Sequence, residues 1–325
     1  SSTNRMVVVS NGSVCGDADP IVANDTWTDS NASDIANDTL SANYSFGTPL
    51  VGVPGSYFRL CWGHDPVNMS DYNVEVDVGA ELAGPHTRLL ECTLGLECAV
   101  ELQGYRLNEL NGLVVITNGT CGDGNATVAN DTWKYASAAN TSNDTLRADY
   151  TFGTPLVGVP GGHYVLCWAH HPRDLRDYNV QVDPSADLAG PNTRLLECTL
   201  GVECTVTLDG YRLSTTNRIV VLSNGTCGEN ATVANDTWTD VNATGFSNIS
   251  ANYTFGTPTT GVAGSFYRLC WSHDPVLLSD YNVEVDAHFE DGREASDEDR
   301  AEIEQLLDVD TLLPSLAPEP PNPYR

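Results

Sequence analysis

The stretch Asn118–Trp133, NGTCGDGNATVANDTW, recurs almost unchanged further along the chain. Asn224–Trp238 reads NGTCGENATVANDTW, and Asn11–Trp27 reads NGSVCGDADPIVANDTW. The first cysteines of successive copies lie 106 residues apart. That period is too long for solenoid units of about 20–50 residues and favours an independently folding module. We therefore predict a tandem array.

Three shorter motifs return with the same order and set the limits of each repeat. Phe-Gly-Thr-Pro begins at Phe46, Phe152 and Phe255. Leu-Cys-Trp begins at Leu60, Leu166 and Leu269, and Asp-Tyr-Asn-Val begins at Asp71, Asp177 and Asp280. The opening Ser1–Arg5 aligns with Ser214–Arg218, so the first repeat lacks the counterpart of Gly190–Leu213. The predicted domains are a truncated repeat over 1–83, repeats over 84–189 and 190–287, and a tail over 288–325. Because the chain opens at Ser1 without Met, we expect a processed or trimmed product.

Composition and charge exclude several classes of protein. The 325 residues carry 15 Lys plus Arg against 44 Asp plus Glu, a formal net charge of −29. Phosphate contacts need clustered basic residues, so we expect neither nucleic-acid binding nor docking to anionic lipid. No apolar run approaches the roughly 20 residues of a membrane span, which predicts no membrane insertion. With 41% apolar and only 18% charged residues, folded domains are expected.

Ten cysteines recur at fixed positions of the repeat, which is typical of a disulfide framework. The first repeat keeps only Cys15 and Cys61, which would have to pair with each other. By analogy, the bridges predicted in the later repeats are Cys121–Cys167, Cys227–Cys270, Cys92–Cys98 and Cys198–Cys204. Zinc is the alternative, but the spacing is too wide for a C-x2-4-C knuckle and no His falls at ligand spacing. An oxidising, extracellular setting follows.

Every recognisable element is a strand. Val74, Val76 and Val78 alternate with polar residues, the period of two that indicates a sheet with one wet face. Residues 98–103 alternate in the same way, and the β-branched runs 5–9 and 218–222 stop at Asn-Gly turns. Short strands separated by turns over about 100 residues predict an all-β fold of antiparallel β-sandwiches. We expect the Trp after each Leu-Cys to pack on the long disulfide, with a sugar-stacking platform as the alternative; these residues are Trp62, Trp168 and Trp271.

The segment CTLGVECTVTLDGYRL, Cys198–Leu213, followed by RIVVLSNGTC, Arg218–Cys227, resembles the opening of an Ig-like module of the IPT/TIG type. In that family a strand ends in a T-x-x-G-x-x-L/F turn and the next strand follows directly. The whole repeat also resembles cysteine-bearing surface-protein modules of alveolate or algal protists. The resemblance implies Ig-like sandwiches that serve as adhesion, receptor or spacer modules and carry no catalytic residues.

Seventeen Asn-X-Ser/Thr sequons are clustered at matching positions of the repeats, and all but one lie between the Asn-Gly turn and Phe-Gly-Thr-Pro. They are Asn11, Asn24, Asn31, Asn37, Asn43, Asn68, Asn118, Asn125, Asn130, Asn140, Asn143, Asn224, Asn230, Asn235, Asn242, Asn248 and Asn252. A single sequon arises easily by chance, and the alternative is a polar Asn/Thr-rich loop. The clustering predicts N-linked glycans, which must face solvent and would coat one region of every module.

No residue pattern predicts an active site. His64-Asp65-Pro66 and His273-Asp274-Pro275 follow Leu-Cys-Trp-x, but the second repeat has His170-His171-Pro172 and lacks the Asp that a triad would need. A turn after the strand is the favoured interpretation, so we expect neither catalysis nor a cofactor. Calcium between domains is the remaining metal alternative, since no EF-hand loop is present; its nearest acidic residues are Asp77, Asp183 and Asp286.

The acidic tail offers a candidate assembly segment. Ser296 to Asp299 is a plausible N-cap region for a short helix with Ile303, Leu306 and Leu307 on one face. A sandwich that lacks two strands exposes its core and unpaired edge groups, so another chain is expected to fill the gap by strand addition. Residues around Val309, Leu312, Leu313 and Leu316 are the predicted donor. A disordered, solubilising tail is one alternative, and natural sequence upstream of Ser1 is another source of the missing strands.

These expectations combine into one function. Strand addition from the tail of one copy to the first repeat of another joins different ends of the two copies, so its repetition gives an open head-to-tail filament rather than a closed dimer. We predict a non-catalytic, extracellular structural subunit of an N-glycan-coated filament or surface coat, whose partners are copies of itself. The alternative is a glycan-shielded adhesion or receptor ectodomain fragment that binds a protein or carbohydrate partner. An enzyme on a β-sandwich scaffold is the third class.

Overall fold

The structure is a computed structural model that describes residues 1–10, 12–23, 25–27, 30–33, 41–133, 135–142, 144–229, 231–234, 238, 241–264 and 267–286. Twenty strands and three 3₁₀ turns account for its regular elements, and nearly all the strand pairs are antiparallel, as the sequence predicts. In these ranges no helix is both long and apolar enough to cross a membrane. The predicted helix near Ser296 and the candidate donor residues Val309, Leu312, Leu313 and Leu316 lie outside the described residues.

The first unit, residues 1–83, forms one four-stranded sheet. Its strands are β1 (Asn4–Ser10), β2 (Ser30–Asn31), β3 (Gly55–His64) and β4 (Val74–Leu82). They lie in the order β2-β1-β3-β4, and Val7 of β1 stands opposite Cys61 of β3. β1 ends before the Asn-Gly dipeptide, where the sequence predicts a turn.

The second unit contains a larger set of strands. They are β5 (Gly84–Pro85), β6 (Glu91–Thr93), β7 (Cys98–Tyr105), β8 (Gly112–Asn118), β9 (Thr127–Val128), β10 (Ala136–Thr141), β11 (Arg147–Gly153), β12 (Gly161–Ala169) and β13 (Val180–Pro191). β8, β12 and β13 repeat the order of β1, β3 and β4, while β7 and β11 pair separately and β10 contacts both groups. β6 lies parallel to β13, with Cys92 opposite Leu188.

The third unit repeats these pairings. Its strands are β14 (Cys204–Tyr211), β15 (Arg218–Asn224), β16 (Thr232–Val233), β17 (Val241–Asn242), β18 (Ser250–Gly256), β19 (Arg268–Ser272) and β20 (Val283–Glu284). β14 pairs with β18 as β7 pairs with β11, and β15, β19 and β20 lie side by side as β8, β12 and β13 do. β13 runs without a break across the predicted boundary at 189/190, and its last residues pair with β14.

The main core of the second unit lies between its two groups of strands. Val100 and Leu102 of β7 and Tyr150 of β11 share one buried cluster with Leu113 of β8 and Leu166 of β12. β7 alternates buried and exposed side chains along its length, which confirms the period of two read from its sequence. The two groups of strands therefore face each other across apolar side chains, the arrangement expected of packed sheets.

The ten cysteines form five disulfides in the pairs expected from the truncated first repeat. The long bridges are Cys15–Cys61, Cys121–Cys167 and Cys227–Cys270, and the short ones are Cys92–Cys98 and Cys198–Cys204. The prediction that the following Trp packs on the long disulfide is wrong. Trp168 lies in the main core, whereas Cys167 lies in a separate cluster with Val114 and Tyr178. Neighbouring residues of a strand point to opposite faces of the sheet, so the two side chains cannot share one cluster.

Candidate assembly and glycosylation surfaces

The Asp of each Asp-Tyr-Asn-Val motif caps the 3₁₀ turn that precedes the final strand of its unit. Asp177 accepts the backbone N–H groups of Arg173 and Asp174 at 2.6 and 3.0 Å, and these bonds hold the pKa of its carboxyl below its ordinary value. Asp71 and Asp280 make the same pair of bonds in their own units, with the same effect on their pKa. The motif therefore fixes where the final strand of each unit starts.

Described residues cover the final strand in the second and third units but not in the first. Val182 and Val285 are 2% and 1% exposed, whereas their counterpart Val76 on β4 is 49% exposed. The burial pattern predicted for β4, with one wet face, is therefore wrong: both faces of its first six residues are exposed. Among the described residues, β4 pairs only with β3. The described residues of the first unit include neither the strand that lies on this edge nor the facing strand, which correspond to β6 and β7 of the second unit, and Val182 is buried in the core cluster that β7 shares.

In the second unit, β6 and the residues just before it cover the edge of β13. The N–H of Arg88 donates to the carbonyl of Val182 at 3.2 Å, and the N–H of Asp187 donates to the carbonyl of Leu90 at 2.8 Å. In the third unit, the N–H of Arg194 donates to the carbonyl of Val285 at 2.7 Å. Each covering segment is therefore the opening stretch of the same unit, directly after the preceding unit in the chain.

A carboxylate marks the same place on the edge. Asp183 is buried and accepts the N–H of Leu90 at 2.6 Å, and buried Asp286 accepts the N–H of Leu196 at 3.2 Å. Asp77 is exposed, and its Oδ1 accepts the N–H of Gly79 at 3.0 Å. Asp183 makes the bond equivalent to this last one with Ser185, at 2.9 Å. In the first unit, Asp77 therefore keeps the bond to its own turn but is exposed at the position where Asp183 and Asp286 bind the N–H of a covering strand.

The interior of the first unit is open as well. Tyr150 and Tyr253 are fully buried, whereas their counterpart Tyr44 is half-buried, and its hydroxyl accepts a hydrogen bond from Trp62 Nε1 at 3.2 Å. Residues 41–50 contain no strand, although the equivalent β11 and β18 are regular. β11 and β18 pair with β7 and β14, and the first unit has no counterpart of those strands among its described residues.

The junctions between units share one set of polar contacts. The hydroxyl of Tyr211 donates to Asp187 at 3.2 Å, and Arg212 bridges Asp187 and Glu91 at 2.5 and 2.7 Å. The contact with Glu91 raises the pKa of Arg212 further above its ordinary value. The preceding junction repeats this arrangement with Tyr105, Arg106 and Glu81. Gly210 allows β14 to approach the end of β13 closely, because a Cβ at Gly210 would lie 2.2 Å from the carbonyl oxygen of Gly190.

A second contact crosses the junction between the second and third units. The turn between β6 and β7 places the carbonyl of Gly95 against Asn282, whose Nδ2 donates to it at 2.9 Å. Leu94 in the same turn packs on Gly190 and is 2% exposed. Sequence reasoning missed this contact, although the recurrence of Leu-Gly in the turn and of Asn in Asp-Tyr-Asn-Val carried the signal.

The sequon side chains that the structure describes lie mostly at the surface. The exposed ones are Asn31, Asn43, Asn68, Asn118, Asn125, Asn130, Asn140, Asn224 and Asn248. Asn252 is half-buried on β18, where its Oδ1 accepts a hydrogen bond from Thr207 Oγ1 at 2.7 Å. For Asn242 only the backbone, on β17, is described. Asn11, Asn24, Asn37, Asn143, Asn230 and Asn235 lie outside the described residues.

The histidines that follow Leu-Cys-Trp take part in turn contacts. His170 Nδ1 lies 3.1 Å from Asn111 Nδ2, and His273 Nδ1 lies 3.0 Å from Asn217 Nδ2. In the first unit, His64 Nδ1 lies 2.8 Å from Asn4 Oδ1. Within the described ranges, no three His, Cys, Asp or Glu side chains come together as a metal site would require. The buried carboxylates Asp183 and Asp286 are instead engaged with backbone N–H groups.

Comparison with known proteins assigns no family to this chain. No protein-family model matches the sequence, and no curated protein matches it either.

Proposed function

We propose that this protein is a non-catalytic, extracellular structural subunit that joins head to tail into a filament or surface coat. Its modules are Ig-like β-sandwiches of the IPT/TIG type, and N-linked glycans cover their sequon-bearing loops. The observation that carries the proposal is the uncovered edge of β4, since a bare strand edge with apolar side chains is a template for pairing with another chain. Val76 is 49% exposed there, against 2% and 1% at the same position in the other units.

The order of the chain supports strand donation between copies. In each complete unit the opening residues, which directly follow the preceding unit, cover the final strand of their own unit: Arg88 comes 12 positions after Val76 and bonds Val182, and Arg194 comes 12 positions after Val182 and bonds Val285. The residues that follow the third unit are the acidic tail. The donor Val309–Leu316 begins 24 positions after Val285, so it has more than enough chain to reach a following copy. The proposed recipient is the β4 edge of that copy.

The tail sequence is compatible with the pairing seen on β13. Aligning Leu312-Leu313 with the Leu89-Leu90 pair places Pro314 at the position of Glu91. In a parallel ladder only every second residue of a strand directs its backbone N–H and C=O groups at the partner strand. Leu90 is one of these residues, because its carbonyl accepts the N–H of Asp187 on β13. The N–H at position 91 therefore points away from β13, and proline is tolerated where no ladder donor is needed. In this register the N–H of Leu313 would meet the carboxylate of Asp77.

Two further features support an extracellular glycoprotein. Five disulfides are typical of proteins from oxidising compartments. Nine of the sequon side chains that the structure describes are exposed, so a glycan at each would extend into solvent. The net charge of −29 makes the surface strongly hydrated and repulsive towards other copies.

The test uses the full chain secreted from eukaryotic cells, with polymer length followed by sedimentation and negative-stain electron microscopy. Val76→Asp should abolish filaments, because it places a charge where the donor strand must pack. Val78→Asp is the matched control: Val78 is exposed, and its counterpart Pro184 stays exposed when the covering strand is present. A wild-type chain that remains monomeric, or two variants that assemble equally well, would refute the filament.

A further inference from the structure

The junction between the second and third units contains a turn that fits only as glycine. The carbonyl of Gly95 accepts the Asn282 side chain, and a Cβ placed on Gly95 would lie 2.4 Å from Asn282 Oδ1 and 3.0 Å from Val283 Cγ2. Real Cβ atoms do not approach side-chain atoms as closely as the first distance. The third unit therefore sits directly on the turn of the second.

The same turn recurs at the far side of the third unit without a covering partner. Gly201 has a φ of +78°, close to the +80° of Gly95. Its N–H donates to the carbonyl of Pro258 at 2.7 Å, as that of Gly95 does to Pro155. Among the described residues nothing lies within 4 Å of a Cβ placed on Gly201. The turn thus has the conformation of the junction and an open surface.

The apolar residue beside the glycine shows the same contrast. Leu200 is 48% exposed, whereas its counterpart Leu94 at the formed junction is 2% exposed. Leu94 packs on Gly190 at the end of β13, and the corresponding stretch of the third unit, after Asp286, lies outside the described residues. An exposed leucine of this kind gains stability when a neighbouring module covers it.

The complementary half of the junction is open in the first unit. Asn73 and Val74 occupy the positions of Asn282 and Val283 in Asp-Tyr-Asn-Val. Val74 is 44% exposed and Val283 is 3% exposed. The backbone at this place is alike in both units, since Asn73 Cβ lies close to Gly16 as Asn282 Cβ lies close to Gly228. The two open halves therefore stand in the last and the first described units.

We propose that a second copy of this chain fills the turn at Leu200–Val202, placing its Asn73 and Val74 where Asn282 and Val283 lie on the turn of the second unit. The proposal rests on the head-to-tail assembly proposed above and names the contact between units that assembly would use. The surfaces differ, so the contact is heterologous and propagates instead of closing a dimer. A turn of a few residues buries too little area for a stable interface alone, so it acts together with the donor strand on β4.

Gly201→Asn tests the contact. Asparagine tolerates positive φ, and the open space around Gly201 accepts its side chain, so the isolated chain keeps its fold. At the contact, however, the new side chain occupies the position that the Asn73 amide must take. Gly256→Asn is the matched control, because Gly256 also has a positive φ, +75°, and open space around its Cβ. Neither change creates a sequon.

The critical concentration for polymerisation of the full chain should rise at least about tenfold for Gly201→Asn and stay within about twofold of wild type for Gly256→Asn. Near-ultraviolet circular dichroism and the melting temperature check that both variants fold. A small fraction of Gly201→Asn added to wild-type chains should shorten the filaments, because the variant still offers its Asn73 end and then stops growth; an unfolded variant would not do so.

Equal polymerisation of the two glycine variants would overturn this contact while leaving the filament intact, provided that Val76→Asp still blocks assembly. Equal loss in both variants would also overturn it, because the effect would not be specific to the turn. Absence of any wild-type polymer would instead refute the proposed function. The two failures are therefore distinguishable in one set of samples.

Discussion

Replacing Asp183 by alanine should loosen the strand that covers β13, whereas the same change at Asp77 should leave the isolated chain unaffected. Asp183 accepts the N–H of Leu90 at 2.6 Å, and both residues are buried. Without the carboxylate, that N–H is buried without a partner. An orphaned donor of this kind costs about 1–3 kcal/mol. Asp77 is exposed, and no covering strand among the described residues depends on it.

Hydrogen exchange followed by mass spectrometry measures this cost locally. An opening penalty of about 1–3 kcal/mol corresponds to a roughly 5- to 150-fold faster exchange, and the peptide to follow covers residues 86–94. Asp183→Asn should give an intermediate effect, because one oxygen remains to accept one of the two N–H groups, from Leu90 and Ser185. Asp77→Ala should change exchange in isolated chains little, yet weaken polymerisation if a donated strand uses this carboxylate.

If Asp183→Ala leaves the exchange of residues 86–94 unchanged, the carboxylate does not hold the covering strand. If Asp77→Ala destabilises isolated chains as strongly as Asp183→Ala does, the β4 edge is already covered in solution, and the donor-strand proposal loses its basis.

Three further predictions concern pH, the junction and glycosylation. Burial raises the pKa of Tyr150 and of Tyr253 to about 12. The stability that their neutral forms contribute is therefore fully present below about pH 10 and is lost as the pH rises towards 12. Absorbance at 295 nm should show that both side chains ionise only when the protein unfolds. Arg212→Ala removes the bridge to Asp187 and Glu91, and because the arginine is partly exposed we expect at most about 1 kcal/mol of destabilisation but a broader range of angles between units in small-angle X-ray scattering. Asn252, which is held by Thr207, should be the least occupied of the described sequons in intact-glycopeptide mass spectrometry.

Several features were predictable from residues alone because they depend on local pattern. The alternation along 98–103 predicts β7, since the side chains of a strand point alternately to its two faces. The truncated repeat predicts the pairing of Cys15 with Cys61, because only two cysteines remain in it. The Asn-Gly dipeptides predict the ends of β1 and β15 within about one residue.

Other features escaped prediction because they depend on which elements become neighbours. The Val74–Val78 alternation predicts a strand correctly but cannot show whether another strand covers it. The Trp after each Leu-Cys looks adjacent to the disulfide in sequence, yet the sheet separates the two onto opposite faces. The contact of Gly95 with Asn282 joins residues 187 positions apart, which no local pattern encodes.

The number of repeats, the strand character of each, the cysteine pairs and the sequon positions can be read from the order of the amino acids. These follow from short-range rules of spacing, alternation and turn geometry. The tertiary structure was needed to show that β13 passes unbroken from one unit into the next, that the opening residues of the second and third units cover the final strands of those units, and that no described residue covers the same edge in the first unit. Burial and strand pairing are properties of surfaces brought together, so identical motifs can be buried in two units and exposed in a third.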